Sequence, residues 1–163
     1  MKFMNQHNVV HRDIKVDNIL VRSRSSKLSE AKRDSPSARI EEFEFKVADL
    51  GLAKAVTSRD DMIKTLCGTP VCMAPEIVAG AFYNYKVDVW SVGTLLFHLL
   101  TGTYPFKGRS IEELKSNLAR GAYKIPRDVT ISFECLDFIN CCLKFESKKR
   151  KNFEFLFAHP FLL

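Results

Sequence analysis

Long apolar runs are missing from this chain of 163 residues. The longest apolar stretch, near Asp88 to Leu100, is too short for a bilayer, whose core needs about 20 residues of helix. No membrane association is therefore expected. The opening residues, Met1-Lys2-Phe3-Met4-Asn5, have no apolar centre of the kind a secretory leader carries. Paired cysteine patterns are also missing. Cys67, Cys72, Cys135, Cys141 and Cys142 form no C-x-x-C motif and no zinc-type spacing with the histidines. The odd count argues against a disulfide framework, so reduced thiols in a cytoplasmic chain are the expectation. Nor is charge of one sign concentrated. The net charge is +6, but the basic residues are scattered apart from Lys148-Lys149-Arg150-Lys151. Nucleic-acid partners leave a clustered basic footprint, so none is expected, and the short run reads as a solvated helix end. Internal repeats are absent too.

What remains is an ordinary globular composition, 46% hydrophobic, with length enough for one core. Met1 to Val10 reads as the end of a helix. Asn18-Ile19-Leu20-Val21 and Phe43 to Ala48 read as two paired strands. Residues 22–42 between them are rich in Ser, Lys, Arg and Glu and are expected to be disordered. From Asp88, Trp90, Val92, Leu95, Leu96, Leu99 and Leu100 cover most of a helix circumference, which predicts a helix buried in the domain. Gly102 stops it. Ser110-Ile111-Glu112-Glu113 is a capping box, opening a helix with Ile111, Leu114 and Leu118 on one face and Gly121 at its end. A further helix from Phe133 would bury Leu136, Ile139 and Leu143, and Phe153 to Phe157 begins a last helical segment.

The chemistry-bearing residues come in a fixed order. His11-Arg12-Asp13-Ile14-Lys15-Val16-Asp17-Asn18 places a carboxylate and an amide on one short loop. Phosphoryl transfer asks the protein mainly for positioning and charge neutralisation. Asp13 can accept the proton of an attacking hydroxyl, and Asn18 can hold magnesium against phosphates. Ala48-Asp49-Leu50-Gly51 follows, then Gly68-Thr69-Pro70, Ala74-Pro75-Glu76 and Asp88-Val89-Trp90-Ser91-Val92-Gly93.

In this order the motifs resemble the protein-kinase family, specifically its serine/threonine branch, across nearly the whole chain. The resemblance implies ATP and Mg2+ as cofactors and protein substrates as partners. It implies that Asp13 and Lys15 are catalytic, with Lys15 touching the transferred phosphoryl group. Asn18 and Asp49 would bind the metal and, with Lys15, the nucleotide. Thr65 takes the place of the activating phosphosite, and Arg12 that of its phosphate partner. Thr69 would contact Asp13 and Lys15. Glu76 would pair with Arg150, and Asp88 would accept hydrogen bonds from the catalytic-loop backbone, making these three structural anchors. The stretch from Thr65 to Glu76, with Pro105-Phe106 and His159-Pro160-Phe161, looks like the calcium/calmodulin-dependent and the autophagy-initiating kinases alike. Val16, Asp17 and Leu50 depart from the family's usual Pro, Glu and Phe without touching the chemistry.

The implied fold is mainly α with a small β-hairpin element: the C-terminal, large lobe of the α+β kinase-like fold, residues 1–163 forming one partial domain with residues 22–42 as an insertion within it, where the family usually has a short hairpin. No G-x-G-x-x-G loop and no V-A-I-K-like strand occurs. The N-terminal lobe, which supplies the rest of the nucleotide clamp in the family, is therefore expected to be absent. The chain by itself is expected to transfer little phosphate. The alternative is a non-catalytic kinase-like lobe that binds proteins.

Overall fold

The computed structural model describes residues 1–24 and 42–163. Helices dominate, with two small two-stranded antiparallel sheets among the described residues. Helix α1 (Lys2–Gln6) is followed by strand β1 (Val9–Val10), so the opening helix ends before Val10. Strands β2 (Ile19–Ser23) and β3 (Phe43–Val47) form the expected hairpin, and β4 (Lys54–Ala55) pairs back onto β1. The β1–β4 sheet is new relative to the sequence reading, because two-residue strands carry no periodicity to detect.

The hairpin reaches into the stretch expected to be an insertion. Arg22 pairs with Glu44 and Ser23 with Phe43, and the Arg24 N–H donates to the Glu42 carbonyl at 2.8 Å. Polar side chains do not prevent this, since the ladder is made by backbone groups. The rest of the proposed insertion, residues 25–41, lies outside the described residues.

Four helices follow the short α2 (Pro75–Val78): α3 (Lys86–Thr101), α4 (Ile111–Arg120), α5 (Phe133–Cys142) and α6 (Phe153–Phe157). The core forms around α3. Trp90, 1% exposed, stacks on Phe106 with ring centroids 5.3 Å apart, and Phe97 meets Tyr123 edge-on. Helix α5 lies close against α3 because Gly93 has no side chain. A Cβ there would stand 2.6 Å from the Cys142 Cβ.

Several side chains sit differently from their sequence expectation. Leu99 is 65% exposed, so α3 is not buried all round. Its outer side, with Val92, Leu95 and Leu96, lines an apolar groove of about 280 Å³ shared with Phe138 and Leu156. Ile111 is also exposed, whereas Leu114 and Leu118 are buried; Ile111 sits on the first turn, beyond the edge of the packing surface. On α5 the buried set is Cys135, Phe138, Ile139, Cys141 and Cys142, with Leu136 only half-buried. The α4 cap works as expected on one side: Ser110 Oγ accepts from the Glu113 N–H at 3.2 Å. The Glu113 carboxylate reaches one residue further back than a capping box requires and accepts from the Arg109 N–H at 2.7 Å. No described helix is long and apolar enough to cross a membrane.

Candidate functional site

The loop after β1 is held from below by Asp88, on the first turn of α3. Its two carboxylate oxygens accept the His11 N–H at 2.7 Å and the Arg12 N–H at 2.8 Å. Asp88 is fully buried, and burial pushes its carboxyl up to about 6, against the pull of those two donors. The buried His11 ring then ties the loop to the hairpin. Its Nδ1 accepts from the Asp13 N–H at 3.3 Å, which leaves the proton on Nε2 to donate to the Ala48 carbonyl at 3.0 Å. Arg12 lies at φ 72°, a left-handed conformation that β-carbon residues adopt only under constraint. The two Asp88 bonds and an Arg12 Nε bond to the Leu52 carbonyl at 2.5 Å supply that constraint.

Asp13 is the centre of a closed polar network. Its Oδ1 accepts from the Thr69 N–H at 3.0 Å and from the Thr69 hydroxyl at 2.8 Å. Its Oδ2 faces Lys15 Nζ at 2.8 Å and accepts from Asn18 Nδ2 at 3.2 Å. Lys15 Nζ also donates to Thr69 Oγ1 at 2.9 Å. A carboxylate has about four lone-pair positions, and all are used. Burial opposes ionisation of Asp13, but the bonds from Lys15 and Thr69, with the Lys15 charge, outweigh it and hold the carboxyl below its ordinary value. Lys15 is held above its own, first by the Asp13 bond. Asp13 is therefore ionised and Lys15 charged at neutral pH.

Thr69 reaches Asp13 because the chain before it turns at Gly68, φ +106°, where a Cβ would lie 2.6 Å from the Arg12 carbonyl oxygen. Only glycine fits so close to the loop.

The hairpin register delivers the oxygen donors. Ile19 pairs with Val47, and the Ala48 N–H donates to the Asn18 carbonyl at 2.8 Å, so Asp49 follows directly after the residue bonded to Asn18. Asn18 Nδ2 is committed to Asp13, to its carbonyl at 2.8 Å as well as to Oδ2, which leaves the amide oxygen free to bind a ligand. Asp49, at φ 61°, uses one oxygen to accept from the Gly51 N–H at 3.1 Å and leaves the other. A carboxylate oxygen and an amide oxygen are hard donors suited to Mg2+, which is usually held by one or two carboxylates plus water and phosphate oxygens.

Thr65 is exposed and does not touch Arg12. The two are joined through Tyr83, which the sequence reading did not single out. The Tyr83 hydroxyl donates to the Thr65 carbonyl at 2.8 Å and accepts from Arg12 Nη1 at 3.4 Å. No sequence signal marks Tyr83 among Phe82-Tyr83-Asn84-Tyr85; only its burial, at 2% exposed, sets it apart. Behind the segment, Arg150 grips Glu76 with both terminal nitrogens, at 2.6 and 2.5 Å.

Folding also gathers Asp137, Cys141 and His159, whose ligand atoms lie within 4.8 Å of one another. The Phe161 N–H donates to His159 Nδ1 at 3.2 Å, leaving Nε2 protonated toward Asp137 at 3.2 Å. The imidazole lone pair is thus already used, and the His159–Asp137 contact is structural.

Known proteins resemble this chain over nearly its whole length. The family profile described as protein kinase domain matches residues 1–162. The serine/threonine-protein kinase ATG1 of Pyricularia oryzae is 37% identical over 177 residues, covering 100% of this chain and 18% of that protein. ATG1c of Arabidopsis thaliana is 36% identical over 164 residues, covering 99% of this chain and 20% of its own length. The serine/threonine-protein kinase PLK4 of Drosophila yakuba is 32% identical over 161 residues, covering 99% and 18%. The chain thus spans about a fifth of the length of the curated relatives it matches.

Proposed function

This chain belongs to the protein kinase family, and from that membership we propose that it carries the phosphoryl-transfer centre of a serine/threonine kinase, moving the γ-phosphoryl of ATP to Ser/Thr hydroxyls of protein substrates. The observation that carries the reading is the Asp13–Lys15–Thr69–Asn18 network, in which an ionised carboxylate and an ammonium share one hydroxyl. Asn18 and Asp49 would hold Mg2+ against the phosphates, which supplies the charge neutralisation the reaction needs. Asp13 takes the proton of the substrate hydroxyl. Since its lone pairs are all used, the hydroxyl reaches it only by replacing a donor. Lys15 is the one suited to leave: its side chain is 22% exposed, and a phosphoryl oxygen offers the ammonium an equivalent partner. Substrate binding and the transfer of Lys15 from carboxylate to phosphoryl are then one event.

In this reading residues 1–163 form part of one kinase domain, the mainly helical C-terminal lobe. The glycine-rich loop, lysine and glutamate that clamp ATP in the family are not in these residues and would be contributed by another lobe. Arg12 and Thr65 form the switch, a phosphate on Thr65 pairing with the guanidinium. Glu76, Asp88 and Arg150 are scaffold.

A second reading, a lobe that binds proteins without transferring phosphate, is favoured by the same full set of bonds on Asp13, which leaves no lone pair open to a substrate hydroxyl. One experiment separates them. Full-length protein from its own cells is incubated with γ-labelled ATP, Mg2+ and a mixed Ser/Thr peptide pool. Label transfer that disappears in Asp13→Asn supports the enzyme. Absence of transfer, together with no ATP-dependent rise in Tm, supports the binding lobe.

A further inference from the structure

Tyr83 is fastened to the segment around Thr65 at more points than packing alone requires. Its backbone forms an isolated antiparallel bridge with Ile63, N–H to carbonyl at 2.9 and 2.7 Å. Its hydroxyl meets the Thr65 carbonyl at 2.8 Å, Arg12 Nη1 at 3.4 Å and Cys67 Sγ at 4.0 Å. A phenol has one proton and can accept the rest. The proton goes to Thr65, so both Arg12 and the Cys67 thiol approach the oxygen as donors. Burial raises the Tyr83 pKa above its ordinary value, against the pull of Arg12, so the phenol stays neutral and keeps that proton.

The consequence is geometric. Arg12 is tied on one side to the Leu52 carbonyl and on the other to Tyr83, which also holds the backbone of Thr65. The exposed Thr65 side chain is thus presented from a carbonyl already fixed one hydroxyl away from the guanidinium. Resting on the reading of Thr65 and Arg12 given above, we propose that Tyr83 is a positioning residue for the activation switch: its hydroxyl sets Thr65 and Arg12 at a separation that a phosphate on Thr65 can bridge. The ordering of the segment is then partly complete before phosphorylation, and the phosphate does not have to recruit Arg12 from solvent. The hydroxyl itself touches no reacting atom.

The test uses full-length protein phosphorylated on Thr65, and the same protein unphosphorylated, each as wild type, Tyr83→Phe and Arg12→Gln. Tyr83→Phe keeps the ring and the Ile63 bridge, so the fold is retained, and a cooperative melt lowered by no more than one lost hydrogen bond checks that. The first readout is the rate at which a generic phosphatase removes the Thr65 phosphate. Arg12→Gln speeds removal, and Tyr83→Phe speeds it about 2- to 10-fold, the equivalent of one net hydrogen bond. The second is kcat on a Ser/Thr peptide, which Tyr83→Phe lowers in the phosphorylated protein and leaves alone in the unphosphorylated one. A merely structural tyrosine would lower both forms equally. If Arg12→Gln exposes the phosphate and Tyr83→Phe does not, the positioning role is overturned and the switch stands. If neither variant alters removal, the switch reading fails and this inference with it. Should the protein transfer no phosphate at all, the phosphatase readout still decides the role of Tyr83.

Discussion

Arg150 and Glu76 are joined as a bidentate pair, at 2.6 and 2.5 Å, in a place where the arginine is 2% exposed. The remaining guanidinium N–H groups go to the carbonyls of Lys144, Lys86 and Phe145, at 2.7, 3.1 and 3.1 Å. Every donor of the fork is therefore used, and Lys86 returns a bond to the Arg150 carbonyl at 2.8 Å. The pair closes the Ala-Pro-Glu end of the segment onto the start of α3 and the turn before α6.

Arg150→Met should destabilise the fold by about 3–5 kcal/mol, because Glu76 is left without its partner charge. Arg150→Lys should recover little of that loss, since an ammonium cannot bond two carboxylate oxygens and three carbonyls in one plane. Urea unfolding of the two variants, of Glu76→Gln and of Glu76→Gln/Arg150→Met checks this. The double variant should lose less than the sum of its singles.

Asp88→Asn turns one of the two acceptor oxygens facing His11 and Arg12 into a donor. A cost of about 1–3 kcal/mol is expected from the stranded N–H. The pH dependence has a definite sign. Folding raises the Asp88 pKa from 3.8 to about 6. Its contribution to stability is therefore complete below pH 3.8 and lost as pH rises through about 6. Carbon NMR of the Asp88 carboxyl should show a midpoint near 6, and the falling component of stability across that window should vanish in Asp88→Asn. A midpoint at the ordinary carboxylate value would contradict the burial argument.

Thr69→Val removes the hydroxyl shared by Asp13 and Lys15, while Thr69→Ser keeps it. The valine variant should lose roughly 10-fold or more in kcat, the rate equivalent of one charge-assisted hydrogen bond of about 1.5–3 kcal/mol. Asp13 is held below 3.8 partly by this bond, so its titration should move upward in Thr69→Val. Ionised base present above the folded pKa is lost as pH falls through it, and the acid limb of activity should move to higher pH. Serine restoring both the rate and the titration would separate the hydroxyl from the bulk of the side chain.

Gly93→Ala should cost about 1–3 kcal/mol by overpacking, since the new methyl would stand 2.6 Å from the Cys142 Cβ and 2.9 Å from Leu143 Cδ2. Cys142 has little freedom to yield, being buried on α5. A thermal melt of Gly93→Ala beside the wild type checks it, and an unchanged Tm would contradict the close approach of the two helices.

The motif residues were legible because each depends on local spacing. His11 to Asn18, Asp49 to Gly51 and Ala74 to Glu76 keep their meaning in one dimension, and the capped helices were visible from Ser110, Gly102 and Gly121. The β1–β4 sheet was not, since two residues give no period. Ile111 and Leu99 are apolar yet exposed, because hydrophobicity at helical spacing shows which face can be buried and not what stands opposite. Polar residues 22–24 entered the hairpin because backbone pairing is indifferent to them.

By itself the sequence determined the family, the helical character and the groups that come to lie around Asp13, because those follow from residue type and short-range order. Only the tertiary structure decided that Asp13 is fully hydrogen-bonded and that Arg12 and Thr65 meet through Tyr83. Apart from the Lys15 and Asn18 bonds to Asp13, those relations join residues 18 to 71 positions apart. Their existence depends on how α3 and the segment before it pack against the loop, which no local pattern records.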